Sequence, residues 1–195
     1  MRLVSFFDGL ETRAGAVLGA KVVDLNRAHA AFLSSFEEPR AWAYSDASVP
    51  ASMLDLLYEG DAGLQWASVA LEFAERLLKS SDTRRMAFRA GIVRELSDVK
   101  LGAPVPRPGK ILCLGLNYKD HAKESHLNLP REPVLFSKVS SSVIGHGTPI
   151  EIPRATKEVD YEVELAFVIG KKCKEIEPRQ ADDYIVGYTI LNDVS

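Results

Sequence analysis

Two glutamates two residues apart, Glu162 and Glu164, interrupt an otherwise apolar run at 160–170, Asp-Tyr-Glu-Val-Glu-Leu-Ala-Phe-Val-Ile-Gly. In a strand, residues two apart point to one face, so both carboxylates aim at one spot. Like charges that close repel unless a cation lies between them. A hard divalent ion such as Mg2+ suits such a pair, because it takes oxygen ligands and keeps positions open for water or substrate. The competing reading is a half-exposed strand with both glutamates solvated, which a Glu-x-Glu alone satisfies equally well.

A second constellation lies in the polar stretch Asn117 to Leu127, which follows a compact apolar run and is rich in helix formers. On a helix His121 and Glu124 are three apart and share a face. A carboxylate bonded to one imidazole nitrogen fixes the tautomer and raises the basicity of the other, which makes the ring a general base for water near neutral pH. An ordinary surface pair has the same spacing. Lys138 closes the run Val-Leu-Phe-Ser-Lys at 134–138. There a cation beside an acidic site would meet the anionic end of a substrate, although most such lysines are surface charges.

The elements that must position these residues follow from the rest of the chain. Its 195 residues are 46% hydrophobic and 26% charged, ordinary for a core-forming globular chain, and its net charge of −3 comes with scattered Lys and Arg. No basic patch invites nucleic acid or an anionic membrane, so a small molecule is the expected partner. Cys113 and Cys173 lack metal or redox spacing and are expected as reduced, buried thiols. No apolar run reaches membrane-spanning length and no leader is visible at Met1, so the expected location is cytoplasmic.

Arg2 to Phe7 and Lys21 to Leu25 read as strands, with Gly9, Gly15 and Gly19 marking turns between them. Helices are expected over 26–36 and 50–58, and over 61–79 with Asp61 as cap and an apolar stripe of Leu64, Leu71, Ala74 and Leu78. His29 on the first of these is expected at the surface or in packing. Three prolines in the eight residues 102–109 end this α+β domain, 1–101, in a linker. The second domain, from 110, should hold a buried strand at 110–116, further strands at 134–138, 148–153, 160–170 and 185–191, and a helix opening at Pro178.

Four ordered blocks carry a resemblance: Gly-Leu-Asn-Tyr-Lys-Asp-His-Ala-Lys-Glu at 115–124, Pro-Val-Leu-Phe-Ser-Lys at 133–138, Asp-Tyr-Glu-Val-Glu-Leu at 160–165 and Gly-Tyr-Thr-Ile-Leu-Asn-Asp-Val-Ser at 187–195. Together they resemble the fumarylacetoacetate hydrolase family, acylpyruvate hydrolases and 2-oxo-acid hydratase or isomerase-like members included. The resemblance implies a mostly β fold with α, a β-sheet roll preceded by the small α+β N-terminal domain. It implies metal ligands at Glu162, Glu164 and Asp193, a general base at His121 with Glu124, and a substrate-side or structural role for Lys138. Mg2+ is the implied cofactor, with Mn2+ or Ca2+ as substitutes, and a homodimer is the implied assembly. The implied reaction is cleavage of a carbon–carbon bond in an acylpyruvate or related β-diketo or 2-oxo acid through a metal-bound enolate. A decarboxylase, an isomerase and a truncated metal-binding module without turnover are the alternatives. Members of the family continue past the Asn-Asp-Val-Ser block, so the chain is expected to hold only the first part of the catalytic domain.

Overall fold

The computed structural model describes residues 1–124 and 130–195, with only the backbone described for His121, Ala122 and Glu124. The chain opens with β1 (Leu3–Asp8), β2 (Glu11–Leu18) and β3 (Lys21–Asp24), an antiparallel meander joined by turns at Gly9 (φ 65°) and Gly19 (φ 59°). Glycine belongs at both turns because a side chain resists the left-handed region. Gly15, expected at a turn, lies inside β2 instead. A Cβ there would sit 2.9 Å from Val22 Cγ1 and 2.9 Å from the Val23 carbonyl, so this glycine permits close packing rather than chain reversal. The strand escapes the apolar alternation rule because its buried residues are Ala14, Gly15 and Ala16.

Next come α1 (Leu25–Ser34), α2 (Ala41–Ser48), α3 (Met53–Tyr58), α4 (Gly60–Leu77) and α5 (Ser81–Arg89), after which β4 (Val93–Glu95) pairs with β3 and completes the four-stranded sheet. Asp24 caps α1 by accepting the Arg27 N–H at 3.0 Å. Asp61 is not the cap of α4; it stands in the first turn, where its charge still favours the helix dipole. The stripe of α4 that packs inward is Gly63, Ala67, Ala70, Ala74 and Leu77, while Leu64, Leu71 and Leu78 are only half-buried. Small residues let α4 approach α1 closely, so volume rather than hydrophobicity selects the buried face.

Polar side chains tie these layers together. Buried Asp24 receives Arg13 Nε at 2.6 Å, and Arg27 reaches Asp24 at 3.5 Å and Asp8 at 2.7 Å. Arg94 meets the other Asp8 oxygen at 2.6 Å. Burial acts to raise the Asp8 carboxyl's pKa, but the hydrogen bond and charge of Arg27, joined by Arg94 and Arg13, outweigh it and hold the group below the usual carboxylate range. His29 is buried rather than exposed. Its Nδ1 lies 3.3 Å from Ser45 Oγ, whose own proton goes to the Asn26 carbonyl at 2.7 Å, so Nδ1 is the donor and Nε2 carries the bare lone pair. Burial lowers the His29 pKa accordingly.

Beyond β4 the chain is stitched back to β1: Gly102 N donates to Ser5 O at 2.8 Å and Ser5 Oγ to Pro104 O at 2.9 Å. Two antiparallel pairs follow, β5 (Ile111–Gly115) with β6 (Val134–Lys138), and β7 (Val163–Ile169) with β8 (Ile185–Asn192). The helix α6 (Lys119–Glu124) follows β5, and a 3-10 turn over Pro178–Tyr184 precedes β8. Three expectations need correction. β5 is not fully buried, since Leu112 and Leu114 point outward. No strand forms at 148–153, where Pro149 and Pro153 lack the donors a ladder needs and Ile150 and Ile152 are exposed. Asp160 to Glu162 precede β7 rather than belonging to it, although their backbone hydrogen bonds extend its ladder.

Candidate functional site

The carboxylates are organised by the register of β7 with β8. Val163 opposes Asn192 and Glu164 opposes Leu191, and Asp193 N donates to Glu162 O at 2.8 Å, which sets Asp193 opposite Glu162. Directly opposed residues share a face, so Glu162, Glu164 and Asp193 lie on the same side of the ladder. Burial agrees: Glu162 and Glu164 are half-buried and Asp193 is buried, whereas Tyr161, Val163 and Leu165 are exposed on the other side. Past the strand ends, Asp160 and Ser195 exchange backbone hydrogen bonds at 2.9 and 3.2 Å. Ser195 Oγ also donates to Glu162 Oε1 at 3.2 Å, and the Glu162 N–H donates to Asn192 Oδ1 at 3.2 Å.

The second strand pair meets this face with a cation and a thiol. Lys138, at the end of β6, directs its Nζ to Asp193 Oδ1 in an ion pair and donates to the Val194 carbonyl at 3.0 Å. Cys113 on β5 approaches the same carboxylate. Burial raises its thiol pKa, the charge of Asp193 and a hydrogen bond to it add to the effect, Glu164 contributes further, and Lys138 opposes. The two strand pairs thus meet where Lys138, at the end of β6, reaches Asp193, just past the end of β8. Cys113 and Cys173 were both expected as reduced, buried thiols; Cys113 is only half-buried and Cys173 is exposed. The signal of Cys113 in the sequence is the alternation Ile111, Cys113, Gly115 on the inward side of the strand that leads into the His121 segment.

His121 and Glu124 are on α6, which leaves the end of β5 through Leu116 in the left-handed region at φ 54°. Their side chains, and so the geometry of the expected dyad, lie outside the described residues. Tyr118 OH donates to the Val163 carbonyl at 3.3 Å, which ties the approach to α6 to the start of β7. Among the described residues no three of His, Cys, Asp and Glu stand close enough together to hold an ion. The donor set nevertheless has the chemistry a hard divalent ion takes: three carboxylates on one face, one of them buried with a cation held against it. Depressions in the described surface lie at Asp82, Arg85, Met86 and Arg89 and at Asp61, Lys171 and Tyr184, and the candidate carboxylates line neither.

Residues 110–195 match the family described as fumarylacetoacetate (FAA) hydrolase C-terminal. This segment belongs to the fumarylacetoacetate hydrolase family. Family relatives span more than the segment. A mitochondrial oxaloacetate tautomerase of Xenopus laevis is 39% identical over 199 residues, covering 100% of this chain and 52% of its own length. A human mitochondrial oxaloacetate tautomerase is 39% identical over 150 residues, covering 77% of this chain and 43% of its own length. Among solved structures, the fumarylacetoacetate hydrolase of Exiguobacterium antarcticum superposes with a TM-score of 0.62 at 26% identity, over 100% of this chain and 56% of that one. The maleylpyruvate hydrolase of Sphingobium sp. SYK-6, solved with manganese(II) and pyruvate, gives 0.61 at 27% identity over 100% and 58%. The mixed α/β fold is therefore that of fumarylacetoacetate hydrolase-like proteins. The chain spans about half the length of the curated relatives it matches. No helix among the described residues is long and apolar enough to cross a membrane.

Proposed function

We propose that the protein carrying this chain is a divalent-cation-dependent enzyme of small 2-oxo acids, with Glu162, Glu164 and Asp193 as ligands of Mg2+ or Mn2+. His121 with Glu124 acts as its general base, and Lys138 faces the substrate. The observation that carries the reading is the placing of the three carboxylates on one face of the β7–β8 ladder, inside the segment that matches the family. A cation on that face would polarise a carbonyl and stabilise the enolate next to it. The chain's own residues do the rest. Lys138 offers a positive charge to a substrate carboxylate. In hydrolysis, His121 oriented by Glu124 takes a proton from water as the oxygen adds to the acyl carbonyl. The carbon–carbon bond then breaks, and its electron pair goes to the 2-oxo acid fragment, which leaves after gaining a proton.

A second reading, keto–enol tautomerisation, is favoured by the 39% identity to an oxaloacetate tautomerase along the whole chain. It needs the same face but only moves a proton between carbon and oxygen. An assay with added Mg2+ or Mn2+ separates the two. Loss of acylpyruvate enol absorbance with release of a carboxylic acid marks hydrolysis, and interconversion of oxaloacetate enol and ketone with no bond cleaved marks tautomerisation. Activity on neither, or activity unaffected by Glu162→Gln, sinks the assignment. The proposal includes a domain boundary in 102–109, supported by the family match beginning at residue 110. It also includes a cytoplasmic location and a homodimer, which fractionation and light scattering test.

A further inference from the structure

The buried Asp193 carboxylate needs a positive partner, and the group that meets it is the Lys138 ammonium. Lys138 does not depend on Asp193 alone, because its Nζ also donates to the carbonyl of Val194, the next residue, at 3.0 Å. Lys138, at the end of β6, therefore holds the carboxylate ready on the face it shares with Glu162 and Glu164 while it is itself anchored at Val194. An ammonium has no vacant orbital and cannot serve as a Lewis acid, yet it neutralises the same charge a divalent ion would. Two cations compete for one oxygen at close range, since each repels the other.

We propose that Lys138 is a stand-in cation: it holds Asp193 in the metal-free protein and yields it when a divalent ion binds, staying tethered at the Val194 carbonyl. The inference rests on the ligand assignment proposed above and adds to it a regulated handover. With the metal bound, the displaced ammonium remains at the edge of the same locus, so a positive charge reaches the substrate's side only in the loaded protein.

The test is Mn2+ binding to the full chain, followed by the paramagnetic signal of free ion, for the wild-type protein, K138M and K138R. Removing the competing charge is expected to tighten Mn2+ binding about tenfold in K138M, a coupling typical of partly buried charge pairs, while K138R stays within about threefold of wild type. Equal or weaker binding by K138M, with wild type binding normally, overturns the handover and leaves the ligand assignment intact. Absence of binding in all three proteins overturns the ligand assignment itself and the handover with it. Should K138M fail to fold, wild-type protein with 13C-methylated lysines decides the matter. The signal absent from the K138R spectrum is that of Lys138. It is expected to move on saturation with diamagnetic Mg2+, and a signal that does not move while Mg2+ binds overturns the proposal.

Discussion

The two parts of the chain are stabilised in opposite ways. Every buried apolar side chain among the described residues lies at or before Val93, in the sheet and helices of the first part. In the family-matching part, 110–195, the one buried residue among those described is a carboxylate, Asp193. Around it, large apolar residues face outward on both strand pairs, including Leu112, Leu135, Val163, Leu165, Phe167 and Ile190. The first part has an apolar interior threaded by a few paired polar groups, such as Asp24 with Arg13 and Ser45 with Asn26. The second is ordered about a charged locus, with its apolar surface turned away from that locus. Substitutions should consequently act through packing in one part and through charge in the other.

The largest effect is expected from Leu56→Ala, which empties a fully buried position. It should lower stability by about 2–5 kcal/mol in denaturant titration while leaving Mn2+ affinity unchanged. A shift in affinity would mean that the two parts are energetically joined. Next, Asp193→Asn leaves Lys138 facing a neutral amide and should reduce stability by about 2 kcal/mol, less than a fully buried pair because Lys138 is partly solvated, and should abolish Mn2+ binding. Retained binding would remove Asp193 from the ligand set. Gly15→Ala should cost about 1–3 kcal/mol, because the added methyl meets the Val23 carbonyl, which belongs to the backbone and cannot move aside.

A smaller effect should follow from pH. The His29 imidazole is held below its usual value of 6.5 in the folded protein. The unfolded chain therefore takes up a proton before the folded one does, so stability is full above about 6.5 and falls as pH drops below it, at up to about 1.4 kcal/mol per pH unit until the folded value is reached. Melting temperatures of wild type and His29→Gln across pH 5–8 should diverge in slope. Parallel curves would place the pH response elsewhere. Smallest of all, Leu165→Thr on the outward side of β7 should change stability by less than about 0.5 kcal/mol. A cost above about 1 kcal/mol would show that this side is covered in solution and would narrow the contrast between the two parts.

What the sequence made legible follows the same division. The apolar run and end charge of Val134 to Lys138 give the strand with the bounds the structure has, and the glycines at 9 and 19 mark real turns. Strand β2 and the buried face of α4 escaped because alanine and glycine carry little hydrophobic signal, and their role depends on how near a neighbour comes. Helix α5 escaped for a related reason: in Ser-Asp-Thr-Arg-Arg-Met-Ala-Phe-Arg only Ala87 is buried, which leaves no stripe to read. At the candidate site, spacing placed Glu162 and Glu164 on one face, and the family blocks pointed to Asp193 and Lys138. The approach of Cys113, and the pairing of Lys138 with Asp193 itself, arise where two strand pairs meet, and no local pattern encodes that meeting.

Leu116 gives the junction between β5 and α6 a particular character. A leucine at φ 54° occupies a conformation that costs an L-residue about 1–2 kcal/mol. Glycine would relieve that cost, but it would also free the backbone to leave β5 in several directions. The bulky residue narrows those directions, so α6 departs along a restricted course. Strain at this joint thus works as an aiming device: some comfort of the chain is given up for a fixed line of sight from the strand end to the helix bearing His121.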